Sequence, residues 1–128
     1  MFENKVRVLS MARAMAAHAA SRQTLIARNV ANADTPGYRA RDMPSFAEAM
    51  HAAEGSRLRS TRTGHINGGW AIALRPQDRP GAVSPNGNSV SLEVEMMRAA
   101  EVRQAHDTAL AIQTKLSGTI RAALGRGR

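Results

Sequence analysis

Cysteine is absent from this 128-residue chain, which excludes disulfides and thiolate metal sites. Aromatics are nearly absent too: Phe2, Tyr38, Phe46 and Trp70 are the whole set. Large aromatic side chains dominate the energetics of most compact cores, so a globule built from this chain alone is thinly anchored. Much of the apolar content is alanine and methionine instead. Small side chains let helices approach closely, and burial missing from one chain is expected to come from neighbouring chains. No run approaches the ~20 apolar residues of a membrane span. Arg7, Arg13 and His18 interrupt the N-terminal apolar positions, so no cleaved signal peptide is expected. Acids are scarce, ten against eighteen Lys and Arg, and the net charge of +8 makes nucleic acid or an anionic surface a candidate partner on charge alone.

Converging chemistry is missing as well. The few acids are scattered, and the four histidines show no HExxH or other ligand spacing. No Gly-x-Ser-x-Gly elbow is present, and Gly64 and Gly68-Gly69 are not followed by the Lys-Ser/Thr of a phosphate loop. Neither a catalytic residue nor a metal ligand nor a cofactor is expected. Basic residues cluster at Arg57, Arg59 and Arg62 and in the Gly-Arg-Gly-Arg tail. They are not interleaved with aromatics for base stacking, and no helix-turn-helix or zinc pattern accompanies them. A basic nucleic-acid-binding protein is therefore the weaker alternative.

What is present is helical periodicity at both ends. From Phe2 to Ala31 apolar residues recur at offsets of three and four, among them Phe2, Val6, Leu9, Met11, Met15, Ala19, Ile26 and Val30. No proline or glycine occurs before Pro36, and a helix of ~30 residues would run ~45 Å. His18, with no second ligand at metal spacing, reads as a surface or packing residue of that helix. Asn29 and Asn32 suggest a helix weakening as amides compete for its backbone. Pro36-Gly37 fits the centre of a type II turn, glycine supplying the positive φ, and this turn presents Tyr38 between flexible basic residues.

Ser45-Phe46-Ala47-Glu48 has the form of a capping box, so a short helix is expected from Phe46 to about Ala53, ended by Gly55. Between 55 and 89 periodicity is lost. Arg57–Arg59 and Trp70–Leu74 read as possible short strands, and Arg79-Pro80-Gly81 and Ser84–Asn88 as turns. A second long helix begins near Ser91, with Glu93 and Glu95 in its first turn offsetting exposed N–H groups. Val102, Ala109, Leu116 and Ala123 form one seven-residue series, and Ala105, Ile112 and Thr119 a second, together a seam of coiled-coil type, with Leu110 and Ile120 beside it. The fold class is mainly α: an N-terminal helix (1–33), a turn (34–44), an irregular central segment with one short helix (45–90) and a C-terminal helix (91–124), one structural unit. The long helices either pair as a coiled coil with others or fold as an antiparallel hairpin on the central segment.

The order of residues adds a resemblance. Asn29-Val30-Ala31-Asn32-Ala33-Asp34-Thr35-Pro36-Gly37-Tyr38-Arg39-Ala40-Arg41 resembles the N-terminal signature of bacterial flagellar axial proteins, the rod, hook and hook-associated subunits. There an N-terminal helix ends in Asn-(Ile/Leu/Val)-Ala-Asn, followed by Thr-Pro-Gly-Tyr. The run Asn88-Ser89-Val90-Ser91-Leu92-Glu93-Val94-Glu95-Met96-Met97 is similar to the start of the C-terminal helix in rod proteins, in a form closest to the proximal rod. The proximal-rod subunit FlgC is the alternative within the family. Thr63-Gly64-His65-Ile66 is a weaker echo.

The resemblance implies a structural, non-enzymatic rod subunit whose terminal helices pair and pack against those of neighbours. It further implies export through the flagellar type III apparatus to a periplasmic rod. Implied partners are copies of itself, the rod subunits FlgC, FlgF and FlgG, the rod-adaptor protein FliE and the MS ring, with no nucleic acid and no small-molecule substrate. Asn29, Val30, Ala31, Asn32, Thr35, Pro36, Gly37 and Tyr38 would set how the first helix leaves the tubular core. Leu92, Met96, Val102, Ala105, Ala109, Ile112, Leu116 and Ile120 would be the packing residues of the second.

Overall fold

A computed structural model describes residues 2–55, 72 and 75–125. Its elements are α1 (Phe2–Ala31), β1 (Arg41–Asp42), α2 (Phe46–Gly55), β2 (Gln77–Asp78) and α3 (Leu92–Gly125). The two long helices pack side by side. Asn29, near the end of α1, bonds Glu95, in the first turns of α3, and Ala19 and Ile26 of α1 cluster with Val102 and Ala99 of α3. These contacts fit only an antiparallel hairpin.

Its seam has a period of seven. Ala12, Ala19 and Ile26 are the buried positions on one side, and Glu95, Val102 and Ala109 on the other. A seven-residue repeat keeps one stripe facing a partner helix, and alanine at three of these six sites brings the backbones together. The seam is closed only toward one end. Before Ala12 in α1, and after Ala109 in α3, no described side chain is buried. Val6, Val8 and Leu124 stand exposed there, Leu124 by 71%. Val30, a member of the apolar α1 series, is also 43% exposed.

Between the helices the capping box forms as its residues dictate. The Glu48 carboxylate accepts from the Ser45 N–H and Oγ, both at 2.8 Å, and the Glu48 N–H donates to Ser45 Oγ at 3.3 Å. β1 and β2 pair antiparallel, Arg41 opposite Asp78 and Asp42 opposite Gln77. Strands of two polar residues carry no alternation and were not foreseen; the candidate strands Arg57–Arg59 and Trp70–Leu74 lie, Ile72 apart, outside the described residues. Arg79-Pro80-Gly81 does not turn. The Arg79 N–H instead donates to Ala40 O at 2.9 Å, continuing the strand pairing. Ser84–Asn88 does turn, closed by Gly87 N–H to Ser84 O at 2.8 Å and Ser84 N–H to Asn88 O at 2.8 Å.

Candidate functional site

The two runs that carry the resemblance, 47 residues apart along the chain from Arg41 to Asn88, fold into one polar clasp at the closed end of the hairpin. On the first run, Tyr38 N–H donates to Thr35 O at 3.2 Å and Gly37 has φ 73°, the type II turn. Gly87, at φ 83°, lies against Gly37, so closely that a Cβ on Gly87 would sit 3.2 Å from the Gly37 Cα. Gly37 N–H donates to Asn86 O, and Ser89 N–H to Tyr38 O, both at 3.0 Å. Ser89 Oγ accepts from the buried Ala40 N–H at 2.8 Å.

Two asparagines tie this together. Asn29 is 1% exposed and uses its whole amide. Nδ2 donates to Arg41 O at 2.8 Å and to Glu95 Oε2 at 3.1 Å; Oδ1 accepts from Arg41 N–H at 3.0 Å and from the Tyr38 hydroxyl at 3.3 Å. The expectation that Asn29 weakens its helix is corrected: its side chain leaves the helix backbone alone and pins the outgoing strand. Asn32 does compete, donating to Arg28 O at 2.8 Å. Tyr38, likewise, is half-buried on Asn29 rather than presented outward. Asn88 serves the other helix end. Its Nδ2 reaches Asn32 O, Ala33 O and Thr35 O at 2.8–2.9 Å, carbonyls left free where α1 stops, while Oδ1 accepts from Val90 N–H at 2.7 Å.

Ion pairs flank the asparagines. Glu95 is fully buried and takes Arg79 Nη2 at 2.5 Å, so its place is the seam and its role differs from the offset of exposed N–H groups expected for it. Asp42 receives Arg22 in bidentate fashion, Nε at 2.8 Å and Nη2 at 2.9 Å, together with Arg98 and its neighbour's Met43 N–H at 2.8 Å. Burial opposes charge on Asp42, but the Arg22 and Met43 hydrogen bonds and the two guanidinium charges outweigh it and hold the carboxyl below its ordinary value. His18 packs edge-on against Phe46 at 5.7 Å, with Nε2 2.9 Å from Pro44 O. Burial is the main cause that lowers its pKa; the Pro44 carbonyl opposes it, and Arg22 adds to it.

Both shifts act in one direction. A histidine lowered by folding leaves the unfolded chain taking up protons first, so stability present above 6.5 is lost as pH falls through that value. Asp42, lowered from 3.8, adds a second loss in the acid range. Urea melts across this range are expected to show the midpoint falling in two stages, and His18→Gln is expected to flatten the first while leaving the second.

The clasp takes in Asn29, Asn32, Thr35, Gly37 and Tyr38 of the first run, while Val30, Ala31 and Pro36 face outward. On α3, Val102 and Ala109 are buried in the seam and Ala105, Leu116 and Ile120 are half-buried. Leu92, Met96 and Ile112 take no part in the seam of their own chain and stand 51%, 72% and 37% exposed. Arg22, Asp42, Arg79, Asn88 and Ser89 were not singled out as site residues. Glu95 carried a usable signal: it stands seven residues before Val102, so a charge occupied a seam position.

Comparison with known proteins agrees with these two runs. A family model described as flagella basal body rod protein matches residues 10–39. The chain is 36% identical over 108 residues to the flagellar basal body rod protein FlgB of Cereibacter sphaeroides (strain ATCC 17029), covering 82% of this chain and 84% of that one. It is 34% identical over 115 residues to FlgB of Escherichia coli K12, covering 80% and 79%. To FlgB of Agrobacterium fabrum it is 30% identical over 109 residues, covering 80% and 81%.

Proposed function

The chain belongs to the FlgB family of flagellar basal body rod proteins, and from that premise we propose that it acts as a structural subunit of the proximal rod, without catalytic activity. The observation that supports this best is the contrast between the two ends of the hairpin. One end is locked by the clasp; at the other, α1 and α3 run on with apolar side chains uncovered. A hairpin that buries half of its stripe has the rest left for neighbouring subunits, and the hydrophobic effect rewards covering it by ~25 cal/mol per Å². Contacts between unlike patches on successive subunits do not close, and such contacts build a tube rather than a ring.

Within that assembly the clasp sets the angle at which the middle of the chain leaves the helical pair, while Ile112 and Leu116 pack against neighbours. FlgC, FlgF, FlgG, FliE and the MS ring are the partners this role calls for, in a periplasmic rod reached by the flagellar type III route. Ile112→Asp and Leu116→Asp are expected to leave the protein exported but absent from isolated basal bodies, with the cells non-motile. Normal motility in either strain would overturn the assembly role given to this stripe.

A further inference from the structure

Charge is distributed unevenly along the hairpin. Its open tip, residues 3–16 of α1 and 108–125 of α3, carries Lys5, Arg7, Arg13, Lys115 and Arg121 against the single acid Glu3. None of these five cations is in an ion pair among the described residues. The foot of the hairpin has the opposite character. Over residues 92–107 of α3, Glu93, Glu101 and Asp107 are exposed and unpaired with any Lys or Arg, Arg98 is engaged by Asp42, and Arg103 is the exposed cation. Each region also exposes apolar side chains: Val6, Val8 and Leu124 at the tip, Leu92, Met96 and Met97 at the foot. The tip is basic and greasy; the foot is acidic and greasy.

We propose that the basic tip of one copy docks on the acidic, methionine-bearing first turns of α3 of a second copy. Foot and tip of one molecule are on the order of 45 Å apart along a continuous helix, so neither can cover the other within a chain. The contact is heterologous, unlike patch to unlike patch, and extends lengthwise instead of closing a dimer. It also has a polarity: like ends carry like charge and repel, which costs wrong pairings more than it strengthens the right one. This deepens the rod reading above by naming the surfaces and direction of one contact, and it rests on that reading.

Charge reversal on exposed positions separates the possibilities. The tip variant is Arg7→Glu/Lys115→Glu/Arg121→Glu and the foot variant is Glu93→Lys/Glu101→Lys/Asp107→Lys, each checked by circular dichroism for unchanged helix content. Sedimentation of the full chain is expected to show self-association that weakens at least ~tenfold as salt shortens the Debye length from ~30 Å to ~3 Å. Each variant alone is expected to stay monomeric, and an equimolar mixture of the two to associate again. A wild-type chain that stays monomeric at low salt, or a mixture that does not associate, would overturn the proposal. So would salt-sensitive binding to phosphatidylglycerol vesicles without self-association, which would make the tip a lipid contact. Variants that fail these tests yet still enter basal bodies would sink the tip-to-foot contact while leaving the rod assignment standing.

Discussion

Arg79→Met is expected to cost about 3–5 kcal/mol, because it strands the Glu95 carboxylate, which has no exposed surface, without its cation. In a chain of this size that is on the order of 10–20 °C in Tm. Glu95→Leu is expected to cost less, since the Arg79 side chain keeps 13% of its surface in water. The pair is not an ideal one: Arg79 Nη1 is buried with no partner. The double variant Arg79→Met/Glu95→Leu is therefore expected to regain most of the loss, as buried pairs replaced by apolar groups commonly do. It should fall short by ~1–3 kcal/mol, because the Asn29 N–H that faced Glu95 is left without an acceptor. Urea melts of the three variants decide this, and a double variant as unstable as the two single losses combined would show that the charges are not coupled.

Asn29→Asp tests the centre of the clasp with almost no change of shape. It replaces the amide's two donors with an oxygen facing Arg41 O at 2.8 Å and a Glu95 oxygen at 3.1 Å. Two carboxylates would then share a buried site, and one of them must hold a proton, its pKa raised by the other's charge and by burial. A carboxyl raised by folding stabilises below its unfolded pKa and is lost as pH rises through the folded one. The variant is therefore expected to lose several kcal/mol at neutral pH and to regain stability on mild acidification, opposite in sign to the parent chain. A melt midpoint that falls with pH as it does in the parent would contradict this account of Asn29.

Much of the helical frame could be read from the chain itself. The limits of α1 and α3 follow from long periodic runs with clear stop and start residues, and the Ser45–Glu48 box and the Pro36-Gly37 turn depend on neighbours three or four positions away. Val102 and Ala109 stand out because a seven-residue period is local arithmetic. The clasp was not legible in the same way. Asn88 meets its acceptors 53 to 56 residues away and Asn29 meets Glu95 at a distance of 66, pairings that no window of sequence contains. β1 and β2 are held by that tertiary frame and not by strand-forming residues. Leu92 and Met96 were grouped with the seam by their apolar character, but the wheel turns them away from α1, since Glu95 between them takes the inward position.

The equal spacing of the seam makes the hairpin's reach a separate dimension from its lock. Ala12, Ala19 and Ile26 face Val102 and Ala109 at intervals of seven, and none of the clasp side chains lies beyond residue 18 toward the open end of α1. Seven residues inserted into both helices near that end would lengthen the molecule by ~10 Å without touching an asparagine or an arginine of the lock. One residue inserted into a single helix would instead swing everything beyond it by about 100° and turn a charged flank inward. A lineage could therefore adjust how far such a subunit extends while conserving the way it bends.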